Sequence, residues 1–135
     1  MATLIDFQEA LGRFQKLFPR PGVPDLLSRL KFVEFSYKQD WSRLWSDGGV
    51  LQTHADDPCV YFFFDSAKQL IYIGETRILG KRFYQHFDQK NAKWSDRTNN
   101  LAILPLPKEN WFETAAIERY LIQQLQPQGN IVGKA

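Results

Sequence analysis

The chain has 135 residues, of which 44% are hydrophobic and 15% aromatic. This length and composition predict one compact domain with a bulky core and exclude a mainly disordered chain. Its 17 Lys and Arg residues against 15 Asp and Glu residues give a net charge of +2, which excludes a basic tail that coats nucleic acid. The single cysteine, Cys59, has no partner for an internal disulfide. With only two histidines it cannot complete an ordinary Cys/His zinc site.

No stretch of the sequence resembles a targeting or membrane-spanning segment. Residues 1–18 carry four charged side chains that interrupt any signal-peptide core, namely Asp6, Glu9, Arg13 and Lys16. The longest strongly apolar run, residues 60–64, is far shorter than a membrane span. We therefore expect a soluble, cytoplasmic protein with no membrane partner.

Residues 1–54 predict a mostly helical N-terminal accessory region. Apolar residues at helical spacing over residues 7–18 predict a helix that Thr3 caps, and prolines from position 19 onward end it. A short helix or extended piece is expected next over residues 25–33, followed by a segment that carries Trp41 and Trp45. The region could serve as a dimerisation surface, which would give a homo-oligomer, or as a substrate clamp. For the two tryptophans, buried core is the favoured role.

Residues 55–135 change character and predict mixed secondary structure. The predicted elements follow in this order: strand 59–64, strand 70–74, helix 78–87, strand 101–104 and helix 111–125. Asn110, with Glu113 three residues later, predicts the cap of the last helix. The order predicts an α+β fold, in which helices flank a small three-stranded antiparallel sheet and an N-terminal helical extension is added.

The predicted hairpin brings two tyrosines together. If its turn is centred on Ser66 and Ala67, Tyr61 pairs with Tyr72, and both side chains lie on one face of the sheet. An aromatic pair in the core is the ordinary explanation of such an arrangement. Taken alone, the two tyrosines favour that explanation.

Three further side chains are candidates for chemistry. Arg82 and His86 are four residues apart on the predicted helix 78–87, so they share a face, which by itself indicates only a solvated surface. Glu118 lies within a largely apolar arc of the last helix. Because an unpaired buried carboxylate is costly, it is either a structural ion pair or a metal ligand, and the sequence weighs these two equally.

Together these groups match the needs of phosphodiester hydrolysis. A divalent ion on Glu118 would offset phosphate charge and lower the pKa of bound water. Arg82 would hold the phosphate and stabilise the charge that develops in the transition state. A tyrosine or His86 would move protons.

The ordered set of motifs resembles the GIY-YIG nuclease superfamily. Val60-Tyr61 followed by Tyr72-Ile73-Gly74 resembles the paired tripeptides that name it, and the later elements fall in family order over residues 58–131. The stretch from Glu118 to Asn130 is similar to the bacterial excision-repair endonuclease branch. The resemblance implies a DNA endonuclease that uses Mg²⁺ or Mn²⁺.

The resemblance also implies roles for single residues. Tyr61 is implied to be, or to lie beside, the base that activates water, with Tyr72 lining the same site and Gly74 allowing a tight backbone turn. Arg82 corresponds to the phosphate-binding arginine and Glu118 to the sole protein metal ligand. Asn130 corresponds to a residue that supports the site. His86 corresponds to a histidine that is found in some branches of the family only.

Two positions depart from the family pattern. Cys59 replaces the first glycine of the first tripeptide, and in the expected register it faces Gly74, where a small side chain fits. Glu75 stands where the family often has a basic residue, and its charge would repel a phosphate backbone. Neither change removes a proposed catalytic group.

Basic residues at the predicted helix 78–87 and in the following loop indicate a strip that contacts the DNA backbone, unless they are ordinary surface charge. This strip consists of Arg77, Lys81, Arg82, Lys90, Lys93 and Arg97. Phosphate contacts carry no sequence information, so the strip does not name a target. The alternative function is a non-catalytic nucleic-acid-binding or protein-interaction module that keeps the fold, and metal-dependent cleavage of plasmid DNA distinguishes the two.

Overall fold

The computed structural model of the chain describes residues 1–19, 25–88 and 94–132. The elements follow in chain order: α1 (Leu4–Leu17), α2 (Leu26–Arg29), β1 (Lys31–Glu34), α3 (Tyr37–Leu44), α4 (Val50–His54), β2 (Cys59–Phe64), β3 (Leu70–Thr76), α5 (Leu79–Phe83), a π-helical turn (Tyr84–Asp88), β4 (Asn100–Pro105), a 3₁₀ turn (Lys108–Asn110), α6 (Glu113–Leu125) and α7 (Gln128–Val132). No helix within the described ranges has the length and apolar character needed to cross a membrane.

The α+β class is confirmed, but the predicted number of strands is wrong. Within the described residues the antiparallel sheet has four strands, in the order β1-β4-β2-β3. The additional strand, β1, comes from the N-terminal region and pairs with β4, where Lys31 lies opposite Ile103. Three of its four residues are exposed, so β1 has no apolar run that would have identified it.

The register of the β2–β3 hairpin also differs from the expected one. Tyr61 lies opposite Gly74, and Tyr72 lies opposite Phe63. The difference arises at the turn, where the Asp65 side chain accepts hydrogen bonds from the backbone, Lys68 is left-handed (φ 59°), and the pairing is irregular at Phe63/Phe64. Because the register moves by two residues, both tyrosines keep the predicted face.

Strand β2 is buried on both faces, as its unbroken apolar run predicts. Alternate residues contribute to two separate core clusters. Phe62 packs with Phe7 of α1 (ring centroids 4.3 Å apart) on one face, and Phe63 packs with Phe83 of α5 (5.8 Å) on the other. Helices therefore cover both sides of the sheet.

The N-terminal region contributes to both clusters. Thr3 caps α1 in a capping box with Asp6, as predicted for the cap, and α1 packs against α6. Trp41 and Trp45 are half-buried against the cluster around Phe63, which agrees with a core role.

Two predicted helices have altered ends. The helix predicted over 78–87 is α5 followed by the π-helical turn. The cap predicted from Asn110 and Glu113 does not form, because the 3₁₀ turn takes up Asn110 and α6 begins after Phe112 without a side-chain cap.

Candidate active site

The candidate site lies along β3, the edge strand of the sheet. Tyr61 on β2 and Tyr72 on β3 face the same side, and their ring centroids are 6.2 Å apart. Tyr61 is 1% exposed, whereas Tyr72 is half-buried. Strand pairing therefore presents one enclosed and one accessible tyrosine at the same place.

Gly74 allows the Tyr61 ring to lie against the backbone of β3. It lies opposite Tyr61, and a Cβ atom at this position would overlap the Tyr61 ring. Gly74 is within the strand and its φ is not positive, so the tight turn implied by the resemblance is not the reason for glycine here. Close packing of the two strands is the reason.

His86 is a direct partner of the Tyr61 hydroxyl, which also forms a hydrogen bond with Tyr72. The π-helical turn places its Nε2 atom 2.8 Å from the Tyr61 hydroxyl oxygen, and its ring centroid is 5.7 Å from that of Tyr72. The direction of the hydrogen bond depends on the tautomer: a neutral ring with the proton on Nδ1 accepts the Tyr61 proton at Nε2.

Both tyrosine hydroxyls are held in the protonated form. Burial raises the pKa of Tyr61 far above its ordinary value; neighbouring Tyr72 adds to the shift, and positive Arg82 opposes it. Burial is also the main reason for the raised pKa of Tyr72, followed by the negative charge of Glu118. The charges of Arg82 and Glu118 thus act on the same two hydroxyls, which unites the four residues with His86 in one site.

Arg82 and Glu118 reach this site from different elements. Arg82 lies on α5 with an exposed side chain. His86, which was predicted to share a helix face with Arg82, is half-buried. Glu118 lies on α6, which packs against β3, and it is half-buried instead of fully enclosed by the apolar arc. An exposed cation and a partly exposed carboxylate are accessible to a charged ligand.

Asn130 on α7 binds the outer edge of β3. Its Oδ1 accepts from the Ile73 backbone N–H (2.8 Å) and its Nδ2 donates to the Ile73 carbonyl (2.7 Å). The side chain thereby pairs both backbone groups that the edge strand would otherwise leave without a strand partner. It positions the segment that carries Tyr72 and Gly74.

The sequence of the chain is similar to those of known proteins. The model of the GIY-YIG catalytic domain family matches residues 57–130, more than half of the chain. The chain belongs to the GIY-YIG family. It is also similar to UvrABC system protein C of Wolinella succinogenes, with 32% identity in an alignment 93 positions long that covers 62% of this chain and 15% of that protein.

Cys59 and Glu75, the two residues that depart from the GIY-YIG pattern, each have defined contacts in the structure. Cys59 lies opposite Thr76, not Gly74 as expected, because of the changed register. Its thiol is buried, donates to the Val60 carbonyl oxygen (3.2 Å) and has a pKa that burial raises, so it packs as a small apolar side chain. Glu75 accepts a hydrogen bond from the Thr114 hydroxyl (2.7 Å), which holds its carboxylate toward α6.

The predicted basic strip is placed only in part. Arg77, Lys81 and Arg97 are exposed, and Arg97 lies over the Trp94 ring at 5.0 Å. Lys90 and Lys93 lie outside the described residues. That these residues form a strip contacting DNA therefore stays a prediction.

A pair of exposed aromatic residues next to the site was missed by sequence reasoning. Trp111 is 43% exposed and Phe112 55% exposed, just before α6. The helix predicted over 111–125 includes both residues and assigns neither a role. The available signal was the failure of two adjacent bulky residues to fit one helical stripe.

Glu118 is the carboxylate of this GIY-YIG site that a divalent ion would bind. Among the described residues no group of three His, Cys, Asp or Glu side chains is arranged to hold a metal. Mg²⁺ commonly keeps several waters and binds one or two carboxylates together with substrate phosphates. The half-buried Glu118 carboxylate fits an ion held in that way.

Proposed function

We propose that this GIY-YIG protein is a metal-dependent endonuclease that hydrolyses phosphodiester bonds in DNA. The observation that carries the proposal is the 2.8 Å contact between the Tyr61 hydroxyl and His86 Nε2, in the site that also contains Tyr72, Arg82 and Glu118. The hydroxyl of a buried tyrosine needs a hydrogen-bond partner, whatever that partner is. This one contacts an imidazole nitrogen, a group that can accept its proton.

Tyr61 and His86 form a proton relay in this mechanism. Because burial raises the pKa of Tyr61, its hydroxyl does not ionise by itself. Tyr61 instead passes its proton to His86 Nε2 while its oxygen takes a proton from the attacking water. The pair thereby removes a proton from water without forming a free tyrosinate.

Arg82 binds the phosphate that is attacked. Its exposed guanidinium offers two parallel N–H donors to phosphate oxygens and offsets the charge that develops in the transition state. Tyr72, accessible beside it, orients the same phosphate or the attacking water through its hydroxyl. Asn130 holds the edge of β3 so that these groups keep their spacing.

Glu118 is the residue that would hold Mg²⁺ or Mn²⁺. When bound, the ion would supply charge stabilisation and a more acidic water. Glu118 itself contributes a fixed negative charge on α6, close enough to raise the pKa of Tyr72.

Cleavage of supercoiled plasmid DNA tests the proposal. We expect nicked or linear product with Mg²⁺ or Mn²⁺, none with a chelator, and loss of product in the His86→Ala variant. DNA binding without cleavage under any divalent ion would contradict the proposal. That result would support the non-catalytic binding module, which the Glu75 carboxylate in place of a basic residue favours.

A further inference from the structure

A cleft of about 340 Å³ opens beside the proposed catalytic groups. It lies between the end of β3, helix α5 and the start of α6, and Arg82 forms part of its wall. The other walls differ sharply in chemistry: the carboxylate of Glu75, the guanidinium of Arg77 and the aromatic rings of Trp111 and Phe112. None of these four side chains has a role in the mechanism above.

The aromatic wall consists of two exposed rings, one of which is in contact with Arg77. The Arg77 guanidinium carbon lies 3.7 Å from the centre of the Trp111 ring, so the two planar groups support each other. Trp111 nevertheless stays 43% exposed and Phe112 55% exposed. Large exposed aromatic groups beside a basic site are the features that nucleic-acid-binding proteins use to stack unpaired bases.

The carboxylate wall adds hydrogen-bond acceptors. Thr114, which is 2% exposed, donates its hydroxyl to Glu75 and thereby fixes the carboxylate in the cleft. A carboxylate has about four acceptor positions, so this bond leaves capacity for a ligand. A phosphate would be repelled here, whereas the N–H groups on the edge of a nucleobase would be accepted.

We propose that this cleft binds one unpaired nucleobase of the DNA substrate, guanine in preference to thymine, while an adjacent phosphate lies at Arg82. Guanine presents two neighbouring N–H donors to a carboxylate on its Watson–Crick edge, whereas thymine presents one N–H between two carbonyl oxygens. That edge is occupied in paired duplex. The inference rests on the proposed function and adds its substrate class: DNA with a bulged, flapped or otherwise unpaired nucleotide.

Binding to matched duplexes tests the proposal without requiring cleavage. The probes are a fully paired duplex and duplexes with one bulged guanine, thymine or 2-aminopurine, measured by fluorescence anisotropy in the presence of a chelator. We expect wild type to bind bulged guanine about tenfold tighter than paired DNA, and Trp111→Ala to lose that preference. Stacking should also quench 2-aminopurine fluorescence in wild type but not in Trp111→Ala.

A second variant tests the carboxylate. Glu75→Gln should bring bulged guanine and bulged thymine to equal affinity while the preference for bulged over paired DNA remains. The matched controls lie on β1, at the opposite edge of the sheet: Phe32→Ala is a similarly exposed aromatic (39%), and Glu34→Gln makes the same charge change. Melting curves confirm that each variant is folded.

Equal binding of paired and bulged DNA by wild type overturns the inference, as does an equal loss in Trp111→Ala and Phe32→Ala. The plasmid assay separates this failure from that of the proposed function. If plasmid is cut but bulged DNA is not preferred, the nuclease proposal stands and the cleft assignment falls. If bulged DNA is preferred through Trp111 but no DNA is cut, the cleft assignment stands as a binding site and the nuclease proposal falls.

Discussion

Tyr61 combines a structural and a proposed chemical role within one side chain. Its ring closes against Gly74, while its hydroxyl meets His86. In Tyr61→Phe the ring remains and the relay is lost, so we expect DNA cleavage to fall by about 10²–10⁴-fold with a melting temperature near that of wild type. Plasmid cleavage rates and thermal melting on one preparation measure both effects.

Tyr84→Phe is the control for that change, because Tyr84 is 51% exposed and lies on the same π-helical turn as His86. It should cut like wild type. If Tyr61→Phe also cuts like wild type, Tyr61 is a core aromatic only.

Arg82 is proposed to act through charge and geometry together. We expect Arg82→Ala to keep its fold, since the side chain is exposed, and to lose about 10²–10³-fold in cleavage rate. Arg82→Lys should recover only part of the rate, because lysine keeps the charge but not the two parallel donors. Arg13→Ala on α1 is the control, and an unaffected rate in Arg82→Ala would remove this residue from the mechanism.

Glu118 separates a metal ligand from a structural ion pair. Glu118→Gln keeps the shape and removes the charge, so we expect loss of Mn²⁺ binding and of cleavage, while melting without metal stays unchanged or rises. Calorimetric Mn²⁺ titration, melting and cleavage are measured beside Glu9→Gln, an exposed control on α1. A clear loss of stability, with cleavage in proportion to the folded fraction, would instead identify an ion pair.

At the scale of elements, β3 depends on α7 for its outer edge. Asn130→Ala removes both hydrogen bonds to Ile73 and should lower the free energy of unfolding by about 1–3 kcal/mol. Asn130→Asp keeps the acceptor but sets a carboxylate against the Ile73 carbonyl, so it should be no milder. Hydrogen exchange at the Ile73 amide should accelerate in both variants, whereas Asn99→Ala, an exposed control, should leave it unchanged.

Apolar runs predicted elements better than they predicted contacts between elements. The unbroken run in β2 and the apolar spacing in α1 were enough to identify both. The hairpin register was not, because it depends on the Asp65 hydrogen bonds and the left-handed Lys68 in the turn. Strand β1 was missed since an exposed edge strand carries little apolar signal.

At the scale of the whole molecule, the order of motifs indicated which residues meet at the site, but not how. Tyr61, Tyr72, Arg82 and Glu118 come from four different elements and share one electrostatic environment. Sequence spacing could not indicate the partners of His86 or Glu75, because both depend on tertiary packing: the π-helical turn against β2, and α6 against β3. The same packing creates the cleft beside Arg82, which no local sequence pattern predicts.

Global stability should decrease at alkaline pH because of the two site tyrosines. Burial raises the pKa of both Tyr61 and Tyr72, so the folded state keeps their protons at a pH where the unfolded chain loses them. Their stabilising contribution is complete below the ordinary tyrosine pKa of about 10 and is lost as pH rises above it. Urea unfolding at a series of pH values between 8 and 11 (on the order of the tyrosine pKa) measures the slope.

The difference between wild type and Tyr61→Phe isolates one tyrosine from the lysines that titrate in the same range. Phenylalanine has no proton to lose, so the variant should lose stability less steeply above pH ~10, by up to about 1.4 kcal/mol per pH unit. Tyr72→Phe should change the slope in the same direction but by less, because Tyr72 is only half-buried. Parallel slopes for wild type and Tyr61→Phe would mean that Tyr61 ionises as readily in the folded protein as in the unfolded chain. Such a result would contradict the enclosure of the Tyr61 hydroxyl beside His86 that the strand pairing indicates.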